Sequence, residues 1–179
     1  MMQNAVPRMM GCSHTVTVQI EVPQGALGEV ERLLGAGHVD GVLVAQGGAS
    51  GGWSLFVENG RVKYAYHPSA HDSYYVEASE PLPCGQVQVG FHFALEGGHG
   101  EPATGRLSYN DEVVGEGRIG RTVPQGFSAN ESLDIVFDPD MPVRGDRPVG
   151  GAKSFGGKVN WVRIDLGNDH CGRLVHGPR

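Results

Sequence analysis

The stretch GGWSLFVENGRVKYAY, Gly51 to Tyr66, decides the fold. Asn59-Gly60 is a strong hairpin signal, because a two-residue type I′ turn needs positive φ at both central positions. With the turn there, Glu58 pairs with Arg61, Val57 with Val62, Leu55 with Tyr64 and Trp53 with Tyr66. Side chains alternate faces along a strand. Trp53, Leu55, Val57, Val62, Tyr64 and Tyr66 therefore share one face, and Ser54, Phe56, Lys63 and Ala65 the other. The Glu58–Arg61 pair closes the turn with opposite charges, a small contribution when exposed. Two readings of the aromatic face are open. It is half of a sandwich core, or it is a platform on which Trp53, Tyr64 and Tyr66 stack a ligand.

Outward from the hairpin, other stretches read the same way. His14 to Val22 alternates and stops at Pro23, and Gly41 to Gly48 is a short apolar strand. Asp72 to Ser79 and Gln86 to Leu95 follow, then a hairpin from Gly105 to Ile119 that turns near Asn110-Asp111. Both turn residues tolerate the left-handed region better than most. Gly157 to Gly167 is a final strand, with Val159, Trp161, Arg163 and Asp165 on one face. One segment differs. Between Ala26 and Asp40, Leu27, Val30, Leu33 and Leu34 recur at helical spacing, and Gly35 or Gly37 can end the helix. Many short strands, with turn signals about every eight to twelve residues, predict an antiparallel β-sandwich. The expected fold is all-β, jelly-roll or concanavalin A-like, with one short helix. The expected organisation is an arm over 1–11, one domain over 12–168 and a tail over 169–179.

Composition agrees. The 179 residues include 29 glycines and 11 prolines, and 19% are charged. The net charge is −6 and no basic run occurs. Nucleic-acid binding needs clustered Lys and Arg to release counterions, so no nucleic-acid partner is expected, and an acidic chain is a poor match for anionic lipid. No apolar run approaches the length that spans a bilayer, and the first residues do not read as a secretory signal. Cys12, Cys84 and Cys171 are odd in number and far apart. That pattern argues against a disulfide framework or zinc site, although one pair remains open, and it points to a reducing, cytoplasmic setting.

Five segments, in order, resemble the C-terminal region of large bacterial arylsulfatases: SHTVTVQIEVP, GVLVAQGGASGGWSLFVENGRVKYAY, EPLPCGQVQVGFHF, VVGEGRIGRTVPQGFSANESLDI and GKVNWVRIDLG. The resemblance spans roughly residues 12 to 168 and implies a β-rich module that follows a catalytic domain. The hairpin is also similar, more loosely, to concanavalin A-like and laminin G-like sandwiches. The sulfatase catalytic domain is absent from this sequence. None of the three cysteines stands in the Cys-x-Pro-x-Arg pattern that supplies the formylglycine nucleophile, so no catalytic residue carries over. The segment Val30 to Val39 is an insertion relative to the family, and Asp111 stands where the family tends to place glycine in the turn.

Other candidate sites are local. His67 and His71, with Asp72 beside them, are metal ligands only if the loop brings them together. Asp134, Asp138, Asp140 and Asp146 gather oxygens around a proline-rich loop, and calcium is the cation such a loop suits. Glu96, His99 and Glu101 share a glycine-rich loop but lack the paired-carboxylate spacing of sandwich glycanases. The expectation is a non-catalytic binding module with a glycan or protein partner, or with self-association covering a face left by the missing domain. The alternatives are an accessory subunit of a separately encoded sulfatase chain, and a small enzyme with an unrecognised site.

Overall fold

The hairpin forms in the expected register. In this computed structural model, which describes residues 12–23, 40–48, 51–69, 71–97, 100–122, 133–135 and 155–167, β3 (Gly51–Glu58) and β4 (Arg61–His67) are antiparallel. Trp53 pairs with Tyr66, Leu55 with Tyr64 and Glu58 with Arg61. Asn59 and Gly60 take φ of 53° and 73°, as the turn requires. The turn is gripped from outside. The Asp40 carboxylate accepts the N–H groups of Asn59 and Gly60 at 2.8 and 3.0 Å, and the Gly60 carbonyl accepts the N–H of Leu82. Glu58 does not close the turn onto Arg61. Its carboxylate takes Lys63 at 2.5 Å, and this bond raises the ammonium above its usual range.

β2 (Gly41–Gly48) flanks β3, and β9 (Leu133–Ile135) lies beyond β2. β5 (Tyr74–Glu77) pairs with β4. These make a five-stranded sheet in the order β5-β4-β3-β2-β9. The second sheet is built from β1 (His14–Val22), β6 (Gly85–Leu95), β7 (Ala103–Tyr109), β8 (Glu112–Ile119) and β10 (Lys158–Leu166), in the order β10-β1-β6-β7-β8. Every pairing between these strands is antiparallel. Every regular element among the described residues is a strand. The helix expected over Ala26–Asp40 lies outside the described residues except for Asp40, and so do the arm over 1–11 and the tail over 169–179.

Two inward faces meet in one core. Alternation sends Val16, Val18, Ile20, Val87, Val89, Phe91, Phe93 and Leu107 inward from one sheet, and Leu55, Val57, Val62, Tyr64 and Tyr66 from the other. At the centre the Tyr64 and Phe91 rings stack at 3.5 Å between centroids. Trp53 stacks beyond Tyr64 at 5.9 Å, and Phe93 lies between Tyr66 and His14. The Trp53 indole donates to the buried Gln46 amide at 3.0 Å. The hairpin's other face is buried too, with Phe56 and Ala65 joining Val42 in a second small cluster.

Bulges redirect side chains that strict alternation would misplace. A shift between Val42 and Val44 turns both Leu43 and Val44 into the core. A shift in the β1–β10 register, opposite Gln19 and Ile20, splits a face that the sequence reads as continuous. Val159 goes inward at 8% exposure, while Trp161 goes outward at 38%. The extra residue in a bulge reverses the phase of alternation.

One side of the sandwich is closed by backbone. A Cβ on Gly115 would meet the Glu77 carbonyl at 2.5 Å, and one on Gly117 would meet Val76 at 2.9 Å. Only the missing side chains let β8 lie this close to β5. The Ser79 N–H and hydroxyl both donate to the Val114 carbonyl. The Tyr109 hydroxyl accepts the Val62 N–H at 3.1 Å and donates to the Glu80 carbonyl at 3.2 Å, tying the sheets together. Cys12 is buried and disulfide-bonded, whereas Cys84 is an exposed free thiol. One pair is what the sequence left open. Separation along a sequence says nothing of separation in space.

Two buried tyrosines predict opposite outcomes for the same substitution. The Tyr64 hydroxyl is buried and has no hydrogen-bond partner among the described residues, and burial pushes its phenol pKa well up. Tyr64→Phe removes an unsatisfied group and should leave stability unchanged or raise it by up to ~1 kcal/mol in urea unfolding. Tyr109→Phe orphans the bond to Val62 and should cost about 1–2 kcal/mol.

Candidate functional site

The outward face of the β10-β1-β6-β7-β8 sheet is laid out in cross-strand rows. Trp161, Gln19 and Gln88 form one row. Arg163, Thr17, Gly90 and Ser108 form the next. Asp165, Thr15, His92, Arg106 and Glu116 follow. Strands lie about 4.8 Å apart, so a row of three spans roughly 10 Å. On the other side of the Trp161 row, Lys158, Glu21 and Gln86 line up. There they border an open hollow of about 380 Å³ floored by Gly85, Gly156 and Gly157.

The face is mostly polar, and three of its arginines are paired with carboxylates. Thr15 Oγ1 and His92 Nδ1 share a hydrogen bond of 2.8 Å. Arg163 pairs with Asp165 at 2.9 Å, Arg106 with Glu116 at 2.8 Å and Arg118 with Glu96 at 3.0 Å. Two apolar side chains interrupt the face: Val113, exposed opposite Ser108 at the β8 edge, and Trp161, a flat ring with the Arg163 guanidinium 5.8 Å from its centroid. That distance is within cation–π range, so the arginine helps fix the indole on the surface.

The sequence candidates fall elsewhere. Trp53, Tyr64 and Tyr66 are at 3%, 0% and 5% exposure, with their rings packed between the sheets. The core reading of the hairpin face is the one the structure adopts, and a ligand reaching these rings would have to part the sheets. His67 is half-buried at the strand end, where Nδ1 meets the Ser73 hydroxyl at 2.9 Å and the ring stands edge-on to Tyr75. His71 is exposed, and its N–H donates to Ser69. Asp72, the carboxylate beside them, faces Arg121 at 3.6 Å and accepts from Ser69. Among the described residues no group of three or more His, Cys, Asp or Glu is arranged to hold a metal. Asp134 lies on β9, and Asp138, Asp140 and Asp146 are outside the described residues. In the glycine-rich loop, Glu96 is engaged by Arg118 and by Thr104 at 3.1 Å, and His99 lies outside the described residues.

Sequence reasoning passed over Trp161 as a site. A signal was present: from Trp161 to Leu166 one face reads Trp-Arg-Asp and the other Val-Ile-Leu. The apolar set is the natural core face, which leaves a tryptophan among charges on the outside.

No family model matches the chain, and no curated protein matches it. Solved structures do. The LG1-3 region of the laminin alpha2 chain is similar with a TM-score of 0.53 at 15% identity, over 88% of this chain and 28% of that one. Domains LG4-5 of the mouse laminin alpha1 chain are similar with a TM-score of 0.57 at 11% identity, over 93% of this chain and 39% of that one. The chain thus spans well under half the length of either. Identities this low show the fold alone, a laminin G-like, concanavalin A-like sandwich. Among the described residues no helix is long and apolar enough to cross a membrane.

His67 gives the rim a pH dependence with a definite sign. Burial lowers its pKa, a shift partly opposed by its bond to the Asp72 backbone. A depressed imidazole contributes stability above its unfolded pKa of about 6.5, and loses it as pH falls through the folded value. The melting temperature of the wild type should therefore drop further between about pH 7 and pH 5 than that of His67→Gln.

Proposed function

We propose that this chain is a non-catalytic binding module that holds a neutral glycan on the outer face of the β10-β1-β6-β7-β8 sheet. The observation that carries the reading is Trp161, a large aromatic left exposed beside a row of hydrogen-bonding side chains. A sugar ring offers an apolar C–H face and a rim of hydroxyls. An indole meets the first, and the Gln19 and Gln88 amides meet the second as both donors and acceptors. The hollow beside Lys158 and Gln86 gives a longer chain room to continue. Beside Trp161 charge favours the neutral class, because Arg163, Arg106 and Arg118 already have carboxylate partners. A sulfate arriving there would have to displace one of them. Lys158, at the hollow, is the cation a sulfated chain would meet first.

A second reading, an accessory subunit for a separately encoded sulfatase catalytic chain, draws its support from the arylsulfatase-like segments alone. Co-purification with such a chain tests it.

A thermal-shift screen against neutral and sulfated glycans, with and without calcium, tests the first reading. A ligand that binds only the folded state raises the melting temperature by an amount that grows with the logarithm of its concentration above Kd. The expected result is a dose-dependent rise with a neutral glycan that Trp161→Ala abolishes, with affinity falling about ten-fold or more. A rise with sulfated glycans only, or one insensitive to Trp161→Ala, would overturn the reading.

A further inference from the structure

We propose that β10 is a pairing edge for a second copy of this chain, in the antiparallel register centred on Ile164. A sheet edge presents a row of unpaired N–H and C=O groups, and proteins ordinarily blunt such edges. Three of the four edges here are blunted among the described residues. β9 is three residues long. β5 is four residues long and lies against β8. β8 is bulged near Val113 and is tied to Ser79 through Val114. β10 runs for nine residues, and its register irregularity is confined to the end near Val159. From Trp161 to Leu166 it is regular, contains no proline and, among the described residues, pairs on one side only, with β1.

The charge pattern selects both the partner and the register. An isologous antiparallel pair centred on Ile164 sets Arg163 of each copy opposite Asp165 of the other, twice over by symmetry. Each carboxylate would then lie between its own Arg163, already at 2.9 Å, and the arginine of the second copy. On the core side of the same pairing, Val162 faces Leu166 of the second copy. Leu166 is 43% exposed in the single chain although its partner across β1, His14, points inward. Trp161 comes opposite Gly167, which has no side chain to obstruct it. Any register shifted by one residue breaks the charge match and turns the apolar set outward. A single strand pair is a small interface, so the association is a concentration-dependent equilibrium.

The two proposals are told apart by what is read: ligand binding by Trp161→Ala for the glycan face, and oligomeric state by charge reversal for the edge, with Asp165→Arg leaving the Arg163 guanidinium beside Trp161 in place. Sedimentation velocity of the full chain from about 5 to about 500 µM should show a monomer–dimer equilibrium. Arg163→Glu places two like-charged pairs across the edge, and so does Asp165→Arg. Each should weaken self-association about ten-fold or more. Both side chains are more than half exposed, so the variants should keep the wild-type melting temperature, which is measured alongside. The decisive sample is an equimolar mixture of the two single variants. In a mixed pair one copy carries only carboxylates at these two positions and the other only guanidinium groups. Both cross-edge contacts are then between opposite charges, so the mixture should dimerise while each variant alone does not. A wild type monomeric throughout the series would overturn the proposal. So would a dimer indifferent to both reversals, or a mixture that stays monomeric.

Discussion

The two sheets are registered on each other by one aromatic contact, the stack of Tyr64 on Phe91 with ring planes 12° apart. The contact joins the middle of β4 to the middle of β6, so it sets both the separation of the sheets and their relative position. Trp53 on one side and the Tyr66–Phe93–His14 group on the other extend it into a column that crosses the core. Aromatic pairs add about 0.5–1.5 kcal/mol beyond their buried area, and here they also impose geometry. The column exists only if Trp53, Tyr64 and Tyr66 face the same way, which depends on the turn at Asn59-Gly60. That explains why the turn is fixed so heavily, by Asp40 on its N–H groups and Leu82 on its carbonyl.

With the core so filled, the surfaces open to a ligand are the outer faces, and the two differ in kind. The face bearing Phe56, Ala65 and Val42 is apolar and buried at that cluster, with Tyr75 exposed and Lys63 and Glu77 paired toward its β5 edge. The face bearing Gln19, Gln88 and His92 is polar, internally hydrogen-bonded and open. The glycine contacts of β8 with β5 close one flank of the sandwich through backbone and leave the β10 flank to side chains.

Much of this was legible in the sequence, and the parts that were not have physical causes. Period-two alternation and the turn dipeptides located the strands and the exact partners within β3–β4, because both signals are local. Bulges are set by how a strand meets its neighbours, so the opposite fates of Val159 and Trp161 could not be read from alternation. Aromatic content alone also does not say which ring is exposed. The hairpin tryptophan was open to both readings and is core. The tryptophan near the chain's other end looked ordinary and proved to be the exposed one. Cys12 teaches the same lesson in covalent form, since its bonding depends on what the fold brings near it.

The place of β1 in the sheet has a consequence for how the chain is assembled. β1 lies between β6 and β10, pairing His14 with Phe93 on one side and with Leu166 on the other. Its neighbours in space are thus remote along the chain, whereas β3–β4 and β7–β8 are joined by two-residue turns. Chain-closure entropy rises with the length of the loop enclosed, and topologies rich in such distant pairings are the slow ones to form. The strand on which half the core rests is also the one whose placement restricts the unfolded chain most.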